Sequence, residues 1–325
     1  MNRNINAGIL GTGMIVPVFL ENAERTGGYH IRGIWGRDAR KAAVYESKAD
    51  YTTDDLDRIL HDPEIDVIYI ALPNSMHASY AVKALQAGRN VMVEKPFAAS
   101  YAEALEVIQL AEKQGLLVFD MCMTSYHANY RMIPDYLKEL GQVRVVTGLL
   151  SHYSRRYDRF LAGEVLPVFD PKLAGGTLMD LGIYLIRYVY GLFGMPEQVH
   201  YHANIVKDID TSGILVLDYS QMKASLTASK DASGPSFVLI QCEHGRIMME
   251  GPAGVCHTIA VEKDGADKII LPGPDTHTAM SSELTVFKEM YAETDPVRRA
   301  AYLSDILSVQ KILDLAREDA GIQFI

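Results

Sequence analysis

At 325 residues the chain is long enough for two domains, each burying its own core, and a composition 48% hydrophobic and 22% charged excludes the disordered and fibrous classes. Acidic residues outnumber basic ones 41 to 31, which argues against a broad nucleic-acid or anionic-membrane footprint. Cys122, Cys242 and Cys256, odd in number and without C-x-x-C spacing, argue against a disulfide framework or a zinc cluster, so reduced thiols and no metal are expected.

The chain begins Met1-Asn2-Arg3-Asn4-Ile5 and runs straight into a strand, and no run of about 18 apolar residues occurs, so a cytoplasmic protein without a membrane partner is expected. From Ile5 to about Asp120 short apolar runs alternate with helical segments, the pattern of a doubly wound parallel sheet in an α/β fold. Strands are expected at Ile5-Leu10, Ile31-Trp35, Val67-Ala71, Asn90-Val93 and Leu117-Phe119. Ser100 and Glu103 form a capping box for a helix over Tyr101-Gln114 that Gly115 closes, and Gly88 closes a helix beginning near Met76.

The first strand leads into Gly11-Thr12-Gly13-Met14-Ile15-Val16. Two glycines at this spacing allow a tight turn and let backbone N–H groups approach a pyrophosphate at a helix N-terminus. The third position is Val16 rather than Gly or Ala, which sets the helix slightly further from the sheet; the strand-turn-helix context still points to dinucleotide binding. After the second strand comes Gly36-Arg37, where an NAD-binding chain carries an acid. A guanidinium there can pair with a 2′-phosphate, so NADP is favoured over NAD, with Asp38 the feature that keeps NAD open.

The third apolar strand ends in Leu72-Pro73-Asn74-Ser75-Met76-His77, which leaves polar side chains at the carboxyl edge of the sheet; His77 either faces the cofactor or is a structural histidine. The run Val91-Met92-Val93 ends abruptly in Glu94-Lys95-Pro96, two charges at the edge where open α/β sheets keep their ligands, and Lys95 is the first catalytic candidate.

Beyond Phe119 the pattern changes to α+β. Helices near Asn129-Leu140 and Leu178-Leu192 bracket a strand at Val143-Ser151. Strands follow at Gln198-Ile205, Ile214-Tyr219, Lys223-Ala228, Phe237-Glu243 and Arg246-Glu250, joined by turns typical of antiparallel neighbours. Two closing helices, Ser281-Tyr291 and Arg298-Ala320, carry the stripe Leu303, Ile306, Leu307, Ile312, Leu313 and Leu315. The expected division is a dinucleotide-binding domain over 1–121 and a substrate-binding, oligomer-forming α+β domain with a large, mostly antiparallel open sheet over 122–325. Within the second, Gly175-Gly176 precedes a helix on which Asp180 and Tyr184, four residues apart, share a face; as partly buried polar groups they need partners, Lys95 among the possibilities.

Assembled, these residues resemble the glucose-fructose oxidoreductase, inositol dehydrogenase and MocA (Gfo/Idh/MocA) family of two-domain NAD(P)-dependent oxidoreductases. The resemblance covers essentially the whole chain, from Gly11-Thr12-Gly13 through Pro73-Asn74 and Glu94-Lys95-Pro96 to Gly175-Gly176 and Asp180-Leu181-Gly182-Ile183-Tyr184. It implies that Lys95, Asp180 and Tyr184 are the catalytic residues. The tyrosine is similar to that of the dihydrodiol and xylose dehydrogenase branch rather than to the histidine of inositol dehydrogenases. Ser125 stands where many relatives carry an arginine before an aromatic-His pair, here Tyr126-His127. Candidate cofactor-binding residues are Gly11, Thr12, Gly13, Met14, Ile15, Arg37, Leu72, Pro73, Asn74, His77, Glu94 and Lys95. Candidate substrate-binding residues are Lys95, Tyr126, His127, Arg156, Asp180 and Tyr184. Arg155, Arg156 and Arg159 either rim the substrate pocket or are solvated charges.

The implied activity is hydride transfer between nicotinamide and a hydroxyl or carbonyl carbon of a sugar, polyol or vicinal diol. In that chemistry Tyr184 serves as acid/base with Lys95 favouring its phenolate, or Lys95 itself takes the proton. The alternative is a cofactor-binding regulator that kept the fold and lost the chemistry. Self-association as a homodimer or higher homo-oligomer through the second sheet is expected by the same resemblance.

Overall fold

A computed structural model describes residues 3–293 and 295–324; Met1 and Asn2 of the expected lead-in to the first strand, with Thr294 and Ile325, lie outside it. The chain forms two compact units, Met1–Met121 with Met280–Leu307, and Cys122–Ala279 with Ser308–Ile325. In chain order the first contains β1 (Ile5–Leu10), α1 (Ile15–Thr26), β2 (Tyr29–Trp35), α2 (Ala39–Ala43), β3 (Tyr51–Thr53), α3 (Leu56–Leu60), β4 (Val67–Ile70), α4 (His77–Gln86), β5 (Asn90–Glu94), α5 (Tyr101–Gln114) and β6 (Val118–Met121).

Among the described residues these strands form one parallel sheet in the order β3-β2-β1-β4-β5-β6. The doubly wound fold follows from strands that are apolar on both faces: every residue of Val67–Ile70 and of Val91–Val93 is fully buried, as helix-covered parallel strands require. The order reverses between β1 and β4, and ligands of such sheets bind outside the carboxyl ends at that switch. The capping box forms: Ser100 accepts from the Glu103 N–H at 3.3 Å, Glu103 accepts from the Ala99 N–H at 3.1 Å, and Gly115 closes α5 in the left-handed region at φ 68°.

The second unit contains α6 (Ala128–Leu137), β7 (Val143–Ser151), α7 (Tyr157–Leu161), a π-helical turn over Leu178–Gly182, α8 (Ile183–Phe193), β8 (Gln198–Val206), β9 (Ile209–Asp218), β10 (Lys223–Ser229), β11 (Ser236–Cys242), β12 (Gly245–Glu250), β13 (Thr258–Lys263) and β14 (Ile269–Pro272). Its sheet runs β14-β13-β12-β11-β7-β10-β9-β8, antiparallel throughout the described residues except where β7 and β10 run parallel. One face is buried in a core that includes Val146, Leu226, Leu185, Ile186 and Ile133. Each such aliphatic side chain, fully buried, contributes about 1.5–3 kcal/mol. The other face leaves Val145, Ile214 and Ile270 exposed.

The closing helices depart from the expected continuous span of 122–325. Helix α9 (Ala279–Ala292) packs in the first unit from Met280 onward: the Tyr29 hydroxyl donates to the Leu284 carbonyl at 2.6 Å, the Lys288 ammonium to the Gly27 carbonyl at 2.9 Å, and Phe287 meets Phe119 edge-on. Helix α10 (Pro296–Asp319) then serves two cores, Ile306 that of the first unit and Val309, Ile312, Leu313 and Ala316 that of the second. No helix among the described residues is long and apolar enough to cross a membrane.

Candidate active site

In the first unit the glycine turn is built as its sequence requires. Gly11 lies at φ +129°, its N–H donates to the Trp35 carbonyl at 2.9 Å, and a Cβ there would stand 2.2 Å from the Ala71 carbonyl oxygen. No side chain fits, so the backbone bends tightly between β1 and β4. A Cβ on Gly13 would meet nothing within 4 Å; that side is open, as a backbone that must meet a pyrophosphate needs to be. Met14 caps α1, whose first turn carries no acidic residue to compete with an anion, and Ile15 is its first residue. Val16 is fully buried beneath this turn. Thr12 lies against Gly36, where a Cβ would sit 2.8 Å from its Cγ2, so the glycine turn and the end of β2 are adjacent. Arg37 is exposed just beyond it, whereas Asp38 caps α2 and accepts from the Arg40 N–H at 3.0 Å and its guanidinium at 3.1 Å. The arrangement fits a dinucleotide and leaves Arg37, not Asp38, available toward a ribose substituent.

Leu72, Pro73 and Asn74 follow β4 and are half-buried. His77 stands at the start of α4. It is 1% exposed, with ring nitrogens 2.7 Å from the Pro96 carbonyl and 2.8 Å from the Leu72 carbonyl, so it ties the loop after β4 to the loop after β5; burial holds its pKa below the usual value. Between those ties stand buried Glu94 and half-buried Lys95. Glu94 accepts a 2.6 Å hydrogen bond from the Tyr69 hydroxyl, and burial pushes its pKa up to about 7 against the opposing effects of Tyr69 and Lys95.

A fully buried acid missed in the sequence, Glu283 of α9, joins this region. Neither of its carboxyl oxygens meets a hydrogen-bond partner among the described residues, and burial, then the charges of Glu94 and Asp120, raise its pKa well above the carboxylate range. Because both folded-state pKa values are raised, the stability these groups contribute is fully present below about pH 4.5 and is lost as pH rises, for Glu94 through about 7. Glu283→Gln, which keeps the shape and removes the charge, is expected to raise the melting midpoint at about pH 8 by a few degrees, the equivalent of about 1–3 kcal/mol for an unpartnered buried polar group. The gain should shrink at about pH 5; a midpoint that instead falls at about pH 8 would contradict it.

In the second unit Gly175 and Gly176 bring the backbone against specific groups: a Cβ would stand 2.7 Å from the Pro167 carbonyl oxygen at Gly175 and 2.1 Å from Asp210 Oδ1 at Gly176, which has φ +105°. Buried Asp210 accepts from the Leu178 N–H at 2.7 Å and from the Tyr201 hydroxyl at 2.8 Å, so Asp210 satisfies the helix N-terminus. Asp180 sits on the π-helical turn, a winding common at functional sites, and forms an ion pair with Lys230, a buried lysine that stands in no sequence motif. Tyr184, in the first turn of α8, packs against Gly254, where a Cβ would be 2.9 Å from its ring.

Tyr126 and His127 are 6% and 0% exposed, and His127 Nε2 lies 2.9 Å from the Gly254 carbonyl. His127 thereby props the loop on which Tyr184 rests. Ser125, where the resemblance implies an arginine, accepts at 3.2 Å from buried Arg187 of α8, so a guanidinium reaches that position from another element. Arg156 is half-buried at the start of α7, Arg155 is exposed, and Arg159 is held by Glu164 at 2.9 Å.

The model described as "Oxidoreductase family, NAD-binding Rossmann fold" matches residues 5–120, and that described as "GFO/IDH/MocA C-terminal domain" matches residues 137–248. The chain is 30% identical over 324 residues to the NADP(+)-dependent scyllo-inositol 2-dehydrogenase of Bacillus subtilis (strain 168), covering 98% of each. To an NADP(+)-dependent D-xylose 1-dehydrogenase of Haloferax volcanii it is 27% identical over 327 residues, covering 97% of this chain and 98% of that one. In fold it is similar to a 3-ketoreductase from Actinomadura kijaniata solved with NADP and TDP-benzene, with a TM-score of 0.83 at 20% identity and 98% of each chain covered. The glycine turn at the end of β1 and the Glu94-Lys95-Pro96 strand end thus find their explanation in common descent: the chain belongs to the Gfo/Idh/MocA family and is an NAD(P)-binding oxidoreductase.

Proposed function

We propose that the protein transfers a hydride between NADP and a hydroxyl-bearing carbon of a sugar or polyol, with Lys95, Asp180 and Tyr184 carrying the reaction. The single observation that carries the reading is the presence of all three residues in a chain similar along its length to dehydrogenases named for inositol and xylose; a regulator that had lost the chemistry would be free to lack them. Bound nicotinamide supplies the hydride acceptor or donor. Tyr184 takes the proton of the reacting hydroxyl, Lys95 polarises the same oxygen, and Asp180 accepts a hydrogen bond from the substrate. Gly11, Thr12, Gly13, Met14 and Ile15 hold the pyrophosphate, and Leu72, Pro73, Asn74, Glu94 and Lys95 line the same carboxyl edge of the sheet.

NADP is the preferred cofactor in this reading because Arg37 is exposed while Asp38 is committed to Arg40. Arg37→Ala is expected to raise KM for NADP about tenfold or more and to leave KM for NAD within about twofold, the loss of one charge-assisted pair. Equal effects on both would contradict this role for Arg37. A cytoplasmic location and self-association through the sheet face bearing Val145, Ile214 and Ile270 complete the reading. Light scattering is expected to report a dimer or larger at micromolar concentration, and a monomer would count against it.

The test of the function is a cofactor-paired screen: absorbance of reduced nicotinamide with NADP and with NAD across aldoses, inositols and vicinal diols. Turnover of at least one member with NADP is expected. No turnover with any of them would favour a binding protein that has lost the chemistry.

A further inference from the structure

The second unit holds a lysine that no sequence pattern singled out. Lys230 follows β10 and is 4% exposed. Strands β7 and β10 run parallel with Ser151 opposite Ser229, so His152 and Lys230 leave the sheet side by side at its carboxyl edge. The backbone there is fixed from both sides. The Lys230 N–H donates to the Thr211 carbonyl at 2.9 Å, the Ser154 N–H to the Lys230 carbonyl at 2.8 Å, and the His152 N–H to the Ser229 carbonyl at 3.1 Å. The next residue, Asp231, accepts from the hydroxyls of Thr211 at 2.6 Å, Ser212 at 3.0 Å and Ser229 at 2.8 Å. From this rigid turn the Lys230 ammonium reaches the Asp180 carboxylate, with the lysine side chain 5% and the aspartate 30% exposed.

A buried ammonium is costly to desolvate and ties down a long, flexible side chain. An apolar residue of similar volume would fill the space without either cost, so stability alone is a poor reason for a lysine at this place. What the lysine supplies is orientation. One charge, delivered from a pinned strand end, fixes a carboxylate on a π-helical turn, a backbone that by itself holds its side chains less regularly than an α-helix.

We propose that Lys230 is a positioning residue for the reaction: it holds Asp180 as an oriented carboxylate that accepts a hydrogen bond from the substrate and does not donate a proton. Its part in turnover rests on the reading of Asp180 and Tyr184 given above; the ion pair itself does not.

The test uses the full chain and the variants Lys230→Met, Lys230→Arg, Asp180→Asn and the double variant Asp180→Asn/Lys230→Met. In melting midpoints each removal of one partner is expected to destabilise more than its share of the double change, because it strands the other charge. Strictly additive shifts would overturn the pairing. In kinetics with NADP and D-xylose or scyllo-inositol, Lys230→Met is expected to lower kcat about tenfold to a hundredfold with KM for NADP within about twofold of the parent. Lys230→Arg, whose guanidinium can pair with the same carboxylate, is expected to restore kcat to within about threefold. An unchanged kcat in Lys230→Met, or Lys230→Arg as impaired as Lys230→Met, would overturn the proposal by reducing the lysine to packing. If Lys230→Met fails to fold, Lys230→Arg decides: near-parent kcat supports the role and a large loss overturns it. A parent protein that turns over no member of the aldose, inositol and diol screen overturns the functional reading, while the midpoint cycle still decides whether Lys230 holds Asp180.

Discussion

Tyr184→Phe is expected to lower kcat about a hundredfold or more, the usual range for losing a positioned general acid or base. The ring packs on Gly254, a contact that phenylalanine keeps. Lys95→Met is the companion variant. If Tyr184→Phe retains parent turnover while Lys95→Met does not, the proton belongs to Lys95. Both variants should retain NADP affinity within about threefold if their part lies in the chemical step and not in binding.

The second large effect is expected at the glycine turn, where two neighbouring glycines should fail in different ways. Gly11→Ala places a Cβ where the Ala71 carbonyl oxygen stands 2.2 Å away, at a φ of +129° that L-residues rarely adopt, so the backbone must move. Loss of about 1–3 kcal/mol of stability is expected from the strained backbone, with loss of NADP binding in a fluorescence titration. Gly13→Ala adds a methyl group into open space, so its midpoint should stay near the parent value while NADP affinity falls about tenfold through the blocked approach of the pyrophosphate. If Gly13→Ala binds NADP as the parent does, the pyrophosphate does not lie against that backbone.

The parts of the fold that sequence patterns reveal are those in which local chemistry and tertiary position agree. The runs Val67–Ile70 and Asn90–Glu94, the capping box at Ser100 and the glycine turn at Gly11 each carry their own signal, and each forms as expected. Strand β3 was not anticipated because three residues, Tyr51–Thr53, offer no periodicity. Strand β14, four residues long and set off from β13 by a polar turn, offers little more, and six-residue β13 ends in the charged pair Glu262-Lys263. Strand β9 begins at Ile209 and not at Ile214. Its first turn of sequence, Asp210-Thr211-Ser212, reads as a loop but is buried and satisfied by Tyr201 and Asp231, partners far enough away that no local pattern announces them.

The candidate site divides along the same line. Gly11, Lys95, Asp180 and Tyr184 stand in motifs, whereas Lys230, Asp210 and Glu283 matter only through what the fold brings against them: an aspartate on another element, a helix N-terminus, and a pair of buried acids. The rings of His77 and His127 hold backbone carbonyls, contacts that their sequence positions do not announce. The return of α9 to the first unit is likewise invisible in sequence, since an amphipathic helix does not say which core it will join.

The most direct test of the account is isotopic. The enzyme is incubated with NADP and with an inositol or aldose carrying deuterium on the carbon that bears the reacting hydroxyl, and the reduced cofactor is analysed by mass spectrometry. The account predicts that the deuterium is recovered in NADPH one for one with substrate oxidised, and that Tyr184→Phe slows its appearance about a hundredfold without changing the ratio. NADPH formed without deuterium, or no reduced cofactor at all, would contradict it.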